Sequence, residues 1–326
     1  MAKTMFDYIN SSTELIEENL KKRIALTETM VNEYIKGPYH NITIVASGSS
    51  NNAAQCARLY MEKVLKCKVT VISPFEFIHA EHSVASDEMV IAVSQSGYSV
   101  NTMEALKFIN DKLNRKAIVL TGDLNSDIVS VADMAVDFGV GEETVGYVTK
   151  GVIALSLYLM LFALEAAKMC KIIGRNEYDT WVREFEKVSG AHEKMIVATK
   201  KFYADNIKAL TSLQTVYICS VGANMGTAME GALKVGETIQ VPGIAYELEE
   251  YIHGPNLQLT PNYTVFFIDG GLASDRTQEI FEATGVITDK TYMLTNKKGL
   301  EGKNIINPDF EINELITPLA FLPFFQ

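Results

Sequence analysis

A cluster of hydroxyl and amide side chains follows an apolar run that ends at residue 93. Its members are Ser94, Gln95, Ser96 and Ser99, while Ser49 and Ser50 follow a second apolar run at residues 42–46. Hydroxyl groups and the free N–H groups of a helix N-terminus suit a phosphate monoester. A triphosphate would require the lysine of a Walker A motif, and the sequence contains neither that motif nor G-x-G-x-x-G. The same serines could instead serve only as turn and cap residues.

The elements that would position these side chains alternate between strands and helices. Apolar runs predict strands near residues 42–46, 69–72, 89–93, 117–120 and 134–138. Helices are predicted near residues 52–65 and 101–113. Strands that are apolar throughout and alternate with helices indicate an α/β fold with a parallel sheet covered on both faces. Ligands of such a sheet bind beyond the carboxyl ends of the strands, where both groups of serines would lie.

The chain contains this pattern twice. ITIVASGSSNNAAQCARLY begins at Ile42 and VYICSVGANMGTAMEGALK begins at Val216, so that Gly48 and Gly222 mark equivalent turns. VIAVSQSG and KAIVLTGD find counterparts at the same offset, which predicts two homologous lobes. The offset places Ile268, Asp269 and Gly270 opposite Ser94, Gln95 and Ser96. The second lobe would then have a carboxylate in place of the hydroxyls, which predicts one phosphate site per chain.

Composition and charge exclude several classes of partner. At 326 residues the chain is long enough for two domains. Its net charge of −11 argues against nucleic acid or an anionic membrane as a partner, because each would need a basic face. The four cysteines are scattered without metal-ligand spacing, which predicts reduced thiols in a cytoplasmic protein and no metal site. They are Cys56, Cys67, Cys170 and Cys219.

The organisation of the chain follows from the same patterns. An N-terminal helical extension is predicted at residues 1–40, with one helix over residues 5–34 and no apolar export signal. The first lobe would occupy residues 41–175, a helical connection residues 176–210, and the second lobe residues 211–326. The uncharged run at residues 151–164 predicts a buried helix, because it is too short for a membrane span.

Four motifs gain specificity when they are taken together. They are SQSG-x-S, GSSNNAA, EETVGYVTKG at residues 142–151, and the segment from EGALKVGETIQ to YELEEYIHGP at residues 230–255. In combination they resemble the sugar isomerase (SIS) domain family, and most of all the isomerase half of glucosamine-6-phosphate synthase. The resemblance covers about residues 40–326. It implies two tandem SIS lobes, each a flavodoxin-like, three-layer unit with a parallel sheet between helices.

The resemblance also implies a role for each residue that matches a family motif. The sugar phosphate would be bound by Ser49, Ser50, Ser94, Gln95, Ser96 and Ser99. The sugar itself would lie near Glu143, Val148, Thr149 and Lys150. The catalytic residues would be Lys234, Glu237 and His253, with the histidine donated across the interface of a homodimer. No cofactor and no metal are implied.

The spacing of three charged residues agrees with this assignment. Glu230, Lys234 and Glu237 stand at positions i, i+4 and i+7, which project from one helix face. By itself such a group is usually a surface ion pair. Beside a phosphosugar it would supply a carboxylate base and a cation, which a proton transfer between C1 and C2 requires. His253 could serve ring opening, because an imidazole both donates and accepts protons near neutral pH.

The sequence departs from the synthase at both ends. The synthase carries a glutamine-hydrolysing domain with an N-terminal cysteine nucleophile, whereas about 40 helical residues precede the first lobe here. Glutamine-driven synthesis is therefore not expected. The relatives also continue into a polar tail that covers the pocket, whereas this sequence stops at Gln326. Either the sequence is truncated or the role of that tail is missing.

Three hypotheses on function follow. The leading one is an aldose–ketose type enzyme that acts on an amino-sugar or glycated-amine 6-phosphate, as a catabolic deaminase or deglycase. The second is a plain aldose–ketose phosphate isomerase. The third is a non-catalytic protein that binds a phosphosugar and regulates a partner. Retention of Glu237 and His253 favours catalysis, because a sensor needs only the phosphate loop, residues 94–99.

Overall fold

The computed structural model of the protein describes residues 3–37 and 39–326. The chain divides into two compact units, Met1–Glu186 and Lys187–Gln326. The division falls inside the helical connection that the sequence predicts at residues 176–210. The predicted extension at residues 1–40 includes residues 1, 2 and 38, which lie outside the described residues.

The first unit is built on a parallel sheet of five strands. They are β1 (Asn41–Ala46), β2 (Lys68–Ile72), β3 (Glu88–Ser94), β4 (Ile118–Thr121) and β5 (Met134–Asp137). Each agrees with its predicted strand to within one residue at either end. The order in the sheet is β2-β1-β3-β4-β5, and every neighbouring pair is parallel. This is the flavodoxin-like order, whose direction reverses between β1 and β3.

Helices flank this sheet. They are α1 (Met5–Lys21), α2 (Arg23–Lys36), α3 (Gly48–Leu65), α4 (Pro74–His79), α5 (Val100–Asp111), α6 (Lys150–Met169) and α7 (Arg175–Glu186). The prediction of a single opening helix over residues 5–34 is wrong. The chain breaks at Lys22, whose N–H still bonds to the carbonyl of Glu18 while Arg23 Nη1 donates to the carbonyl of Leu20. These donors close α1 before α2 begins.

Helix α6 lies at the core of the first unit. It has 20 residues, so it extends beyond the uncharged run at both ends and is long and apolar enough to cross a membrane. However, 89% of its apolar window is buried, and it packs against α1, α2 and α3. A buried core helix passes the same test of length and composition, so α6 is weak evidence for a membrane span. The buried helix that the sequence predicts is present.

The second unit repeats the architecture of the first. Its elements are α8 (Val188–Leu210), β6 (Thr215–Ser220), α9 (Asn224–Lys234), β7 (Gly243–Glu247), α10 (Leu248–Ile252), β8 (Tyr263–Asp269), α11 (Ser274–Gly285), β9 (Thr291–Thr295), β10 (Ile305–Ile306) and α12 (Pro318–Phe325). The strand order β10-β9-β8-β6-β7 is that of the first sheet, read from its other edge. The two tandem α/β lobes predicted from the repeat are therefore confirmed.

The register of the sheets corrects the predicted alignment of the repeats by one residue. Ala46 is paired with Val93 in the first sheet, and Ser220 is paired with Ile268 in the second. The counterpart of Ser94 is therefore Asp269, rather than Ile268, and the counterpart of Gln95 is Gly270. A carboxylate thus stands at the strand end where the first unit has its first hydroxyl.

Candidate functional site

A cavity of about 820 Å³ opens beyond the carboxyl ends of β1 and β3 in the first unit. It lies at the point where the strand order reverses, which is where sheets of this type bind ligands. The six predicted phosphate ligands all line it, namely Ser49, Ser50, Ser94, Gln95, Ser96 and Ser99. Two of the four predicted sugar-binding residues, Glu143 and Val148, also line it.

Two helix N-termini face this cavity. Helix α3 begins directly after Ser47 and helix α5 directly after Ser99, and neither of these two residues caps its helix with a side-chain hydrogen bond. The first N–H groups of a helix have no partner within it and carry the positive end of its dipole. Both helix starts therefore offer donors to an anion in the cavity.

The loop between β3 and α5 places hydroxyls at the edge of the cavity. Ser94 Oγ accepts a hydrogen bond of 3.2 Å from the N–H of Gly97, and Ser96 Oγ accepts one of 3.3 Å from the N–H of Tyr98. Gly97 has φ +73°, and a Cβ atom there would lie 1.7 Å from Ser126 Oγ. A glycine is thus required for the turn that presents Ser96.

Glu143 serves as the cap of helix α6. Its Oε1 accepts hydrogen bonds from the N–H groups of Thr149 at 2.9 Å and Lys150 at 2.7 Å. Its Oε2 accepts from the N–H of Gly151 at 3.1 Å and from Gln95 Nε2 at 2.5 Å. A carboxylate at a helix N-terminus neutralises the local dipole. This third helix start is therefore occupied from within the chain, which leaves α3 and α5 for an external anion.

Thr149 and Lys150 lie behind the cavity wall. Thr149 is buried and its hydroxyl donates to the carbonyl of Tyr147 at 2.9 Å. Lys150 Nζ donates to the carbonyl of Glu142 and lies 5.5 Å from the centre of the Tyr8 ring. Among the described residues, neither lines the cavity. Their backbone N–H groups, which bind Glu143, connect them with the site.

The charges of the cavity wall are all negative. Asp123, Glu142 and Glu143 line it, and no lysine, arginine or histidine does so among the described residues. Glu143 is satisfied by four donors, whereas Glu142 is exposed. A phosphate would have to be bound by hydroxyls, amides and helix dipoles alone. The carboxylates in the lining suit a group of positive charge.

The second unit holds the predicted catalytic pair. Lys234 is buried, with Nζ 3.3 Å from Glu230 Oε1 and 2.7 Å from Glu237 Oε2. The helix changes to a π-helical turn at Val235–Ile239, directly after Lys234. π-Helical turns are rare in proteins, and those that occur are often found at functional sites. The turn carries Glu237, whose side chain is 31% exposed, while its ion-pair partner is fully enclosed.

His253 follows the short helix α10 and is exposed. Its N–H donates to the carbonyl of Glu250 at 3.2 Å, which closes the helix before Gly254 and Pro255.

The strand ends that correspond to the phosphate loop are filled in the second unit. Asp269 is buried, and its Oδ1 accepts from the N–H of Gly271 at 2.9 Å and from Ser274 Oγ at 2.7 Å. Its Oδ2 accepts from Thr295 Oγ1 at 2.9 Å. A Cβ atom on Gly270 would lie 2.3 Å from Asn224 Nδ2. The internal carboxylate thus occupies donors that could otherwise bind an anion.

Several lining residues were not singled out from the sequence. Asp123 and Glu142 belong to this group, as does Thr102, whose hydroxyl donates to Ser99 Oγ at 2.9 Å. The position of Asp123, two residues beyond β4, was the available signal, because loops at carboxyl strand ends surround the ligand. Glu142 is the first residue of the EETVGYVTKG motif, but the resemblance assigns no role to it.

Comparison with known proteins agrees with this architecture. Residues 38–165 match the SIS domain family, so the chain carries an SIS domain. Among curated proteins, the glutamine–fructose-6-phosphate aminotransferase (isomerizing) of Cyanidium caldarium is 27% identical over 232 residues, which are 69% of this chain and 37% of that protein. The chain spans less than half the length of such relatives. The resemblance to their isomerase half is confirmed.

Solved structures share the fold over nearly the whole chain. The C-terminal domain of glucosamine-fructose-6-phosphate aminotransferase from Francisella tularensis is 20% identical with a TM-score of 0.86, covering 100% of this chain and 94% of that one. Glucosamine-6-phosphate deaminase from Thermotoga maritima is 19% identical with a TM-score of 0.69, covering 97% and 93%. At these identities the likeness establishes the fold.

Proposed function

We propose that the protein is a phosphosugar isomerase-type enzyme whose substrate is an amine-bearing sugar 6-phosphate. It acts as a catabolic deaminase or deglycase. The observation that carries the proposal is the cavity at the β1/β3 strand ends, which is lined by hydroxyls, by two helix N-termini and by carboxylates. The hydroxyls and helix N-termini suit the phosphate, and the carboxylates suit a protonated amine.

The phosphate is bound by six of the residues that line the cavity. Ser49, Ser50, Ser94, Gln95, Ser96 and Ser99 supply hydroxyl and amide groups together with the N–H groups of α3 and α5. Val148 contacts the sugar, and Glu143, Thr149 and Lys150 shape the wall behind it. A hydrogen bond to a charged group contributes about 1.5–3 kcal/mol, so several of them anchor the ligand without a cation.

The chemistry is a proton transfer between C1 and C2. Glu237 accepts the proton from one carbon and returns it to the other, and Lys234, 2.7 Å from that carboxylate, stabilises its charge. His253 transfers protons during ring opening. In an amine-bearing sugar this isomerisation gives an imine, which water hydrolyses to release the amine and leave a sugar phosphate. The step requires neither glutamine nor a metal.

The buried lysine favours an enzyme over a sensor. Enclosing an ammonium group is costly unless carboxylates compensate it, and Lys234 has two. A protein that only binds the phosphate has no need of this group. A plain aldose–ketose isomerase is the second candidate, because its proton transfer would need the same kind of base. The carboxylates that line the cavity favour the amine-bearing substrate over a neutral sugar.

The protein works as a cytoplasmic homodimer in this proposal. The four cysteines are free, as expected in a reducing compartment. His253 is exposed at a helix end, where a second copy of the chain could receive it. No nucleic acid and no membrane is a partner, since the chain has a net charge of −11.

A binding screen tests the proposal. The midpoint of thermal unfolding is measured with glucosamine 6-phosphate, glucose 6-phosphate, fructose 6-phosphate and inorganic phosphate. A ligand at 100 times its dissociation constant stabilises by about 2.7 kcal/mol. We expect the amine-bearing sugar to shift the midpoint most, and Glu142→Gln to reduce its advantage. Glu81→Gln, which alters an exposed carboxylate that does not line the cavity, is the control.

The outcomes separate the hypotheses. An equal or larger shift with the neutral sugars would favour the plain isomerase. Binding without any isomerisation or amine release would favour the sensor. If none of the phosphosugars stabilises the protein more than inorganic phosphate does, the proposed substrate class is wrong.

A further inference from the structure

The loop at residues 139–149 forms much of one cavity wall. It leads from β5 to α6 and contributes Val140, Glu142, Val145 and Val148 to the lining. It also carries Glu143, which caps α6 and bonds to Gln95. The loop has no helix or strand of its own, so it depends on outside contacts for its shape.

Helix α1 supports the middle of this loop from behind. Tyr8 is 1% exposed, and its hydroxyl lies 3.0 Å from Thr144 Oγ1. The same hydroxyl accepts a hydrogen bond of 3.0 Å from the N–H of Thr144. Lys150 Nζ lies over the Tyr8 ring. One buried side chain of α1 therefore binds both the backbone and the side chain of the residue next to Glu143.

Helices α1 and α2 also hold the start of the loop. Asn19 is 1% exposed, and its Nδ2 donates to the carbonyl of Gly139 at 3.1 Å. Gly139 has φ +78°, and a Cβ atom there would lie 2.9 Å from Leu26 Cδ1. The positive φ favours glycine at this position, and the side chains of Asn19 and Leu26 pack close to it.

We propose that Tyr8 and Asn19 are positioning residues of the sugar site, which hold the loop at residues 139–149 in the shape that places Glu143 against Gln95. The helices that carry them precede residue 38, where the SIS match begins. The N-terminal helices are thus part of the binding site without touching the ligand. The inference rests on the proposed phosphosugar function, which it deepens.

The substitution Tyr8→Phe removes the hydroxyl and keeps the ring. The N–H and hydroxyl of Thr144 then lose a common partner, while the ring still lies under Lys150 Nζ. We expect the loop to open more often and the phosphate ligands of α3 and α5 to stay in place. Tyr34→Phe is the matched control, because Tyr34 is equally buried in α2 and its hydroxyl bonds to the carbonyl of Tyr39, away from the loop.

Hydrogen exchange of the ligand-free protein provides the first measurement. Tyr8→Phe should speed exchange of the amides at residues 143–151 about tenfold, with the rest of the chain unchanged. Tyr34→Phe should leave these amides as they are in the wild type. Thr144→Val, which removes the other hydroxyl, should act in the same direction as Tyr8→Phe. Unchanged exchange in both loop variants would overturn the proposal.

Ligand binding provides the second measurement. With glucosamine 6-phosphate as the probe, Tyr8→Phe and Asn19→Ala should weaken binding several-fold, whereas the affinity for inorganic phosphate should stay that of the wild type. An equal loss for both probes would contradict a role through the loop. The exchange experiment needs no ligand, so a failure of the proposed function would not be mistaken for a failure of this inference.

Discussion

Gln95 Nε2 lies 2.5 Å from Oε2 of Glu143, and this contact joins the phosphate loop to the start of helix α6. Both oxygens of the carboxylate are occupied, because three backbone N–H groups bind it as well. Glu143 can therefore not take a proton from a substrate without uncapping the helix. Its role is to orient Gln95 and to hold the cavity wall.

Gly151→Ala should weaken phosphosugar binding without weakening the fold. A Cβ atom at this position would lie 1.7 Å from Gln95 Oε1, so the amide must swing away from Glu143. The backbone at residue 151 is helical, where alanine is favoured over glycine by about 1 kcal/mol. We expect roughly a tenfold loss of affinity, about the worth of one hydrogen bond, by titration calorimetry.

The control for this substitution is Gly190→Ala. Gly190 also lies in a helix, and nothing lies within 4 Å of the position of its Cβ atom. This variant should gain stability and keep its affinity. If Gly151→Ala binds phosphosugar as tightly as the wild type, the contact between Gln95 and Glu143 does not contribute to the site.

Ser96→Ala should weaken phosphosugar binding by about 1.5–3 kcal/mol, the usual value of one hydrogen bond to a charged group. Ser96 is exposed at the cavity edge, so its loss should not affect folding. Ser130→Ala, an exposed serine whose hydroxyl bonds only to the carbonyl of Asp127 in the described contacts, is the control. Equal affinities of the two variants in calorimetry would argue against a ligand role for Ser96.

A substitution in the second unit tests the position that corresponds to the phosphate loop of the first. Gly270→Ser would restore a hydroxyl beside the position equivalent to the phosphate loop, but its Cβ atom would collide with Asn224 Nδ2. The collision predicts a cost in stability for this substitution. It should lower the melting temperature and leave phosphosugar affinity unchanged.

Glu237→Gln should abolish turnover and leave phosphosugar affinity within a few-fold of the wild type. Glutamine keeps the size and hydrogen-bonding reach of glutamate but cannot accept a proton near neutral pH. Loss of a general base costs about 10²- to 10⁴-fold in rate. Incorporation of solvent deuterium at C1 or C2 of the substrate should disappear along with turnover. Glu282→Gln, on the surface of α11, is the control. A fully active Glu237→Gln enzyme would require another base.

Mixed dimers test whether His253 serves the partner subunit. Chains that carry Glu237→Gln are combined with chains that carry His253→Ala, and about half of the dimers should then be heterodimers. If the histidine is donated across the interface, each heterodimer contains one intact site and the mixture regains activity. A mixture no more active than either parent, after native mass spectrometry has shown subunit exchange, would place both residues in one chain.

Much of the fold could be predicted from residue patterns alone. The strands of the first unit are short, apolar and separated by helices. Because a parallel strand is buried on both faces, each apolar run predicts where its strand begins and ends. The serines after residues 46 and 93 were placed at carboxyl strand ends for the same reason, and all six predicted phosphate ligands do line one cavity. The repeat likewise predicted the second sheet, since the same periodicity occurs twice.

The contacts that decide the role of each side chain depend on tertiary structure. The alignment of the repeats missed by one residue because spacing along the chain does not reveal strand register, which the hydrogen-bonded pairs Ala46–Val93 and Ser220–Ile268 determine. At the break at Lys22, the side chain of Arg23 donates to the carbonyl of Leu20, a contact that helical periodicity does not reveal. Thr149 and Lys150 were expected to lie near the sugar. They stand at the start of α6, and their N–H groups donate to the Glu143 carboxylate instead.

The sequence by itself determined which residues reach the strand ends, because burial and periodicity are local properties of the chain. Only the tertiary structure decided which of them face an open cavity and which are already satisfied by one another. Ser94 and Asp269 occupy the same position in two copies of one fold, and one lines a cavity while the other is buried among its own donors. The difference arises from contacts between residues far apart in sequence, such as Asp269 with Thr295 and Tyr8 with Thr144.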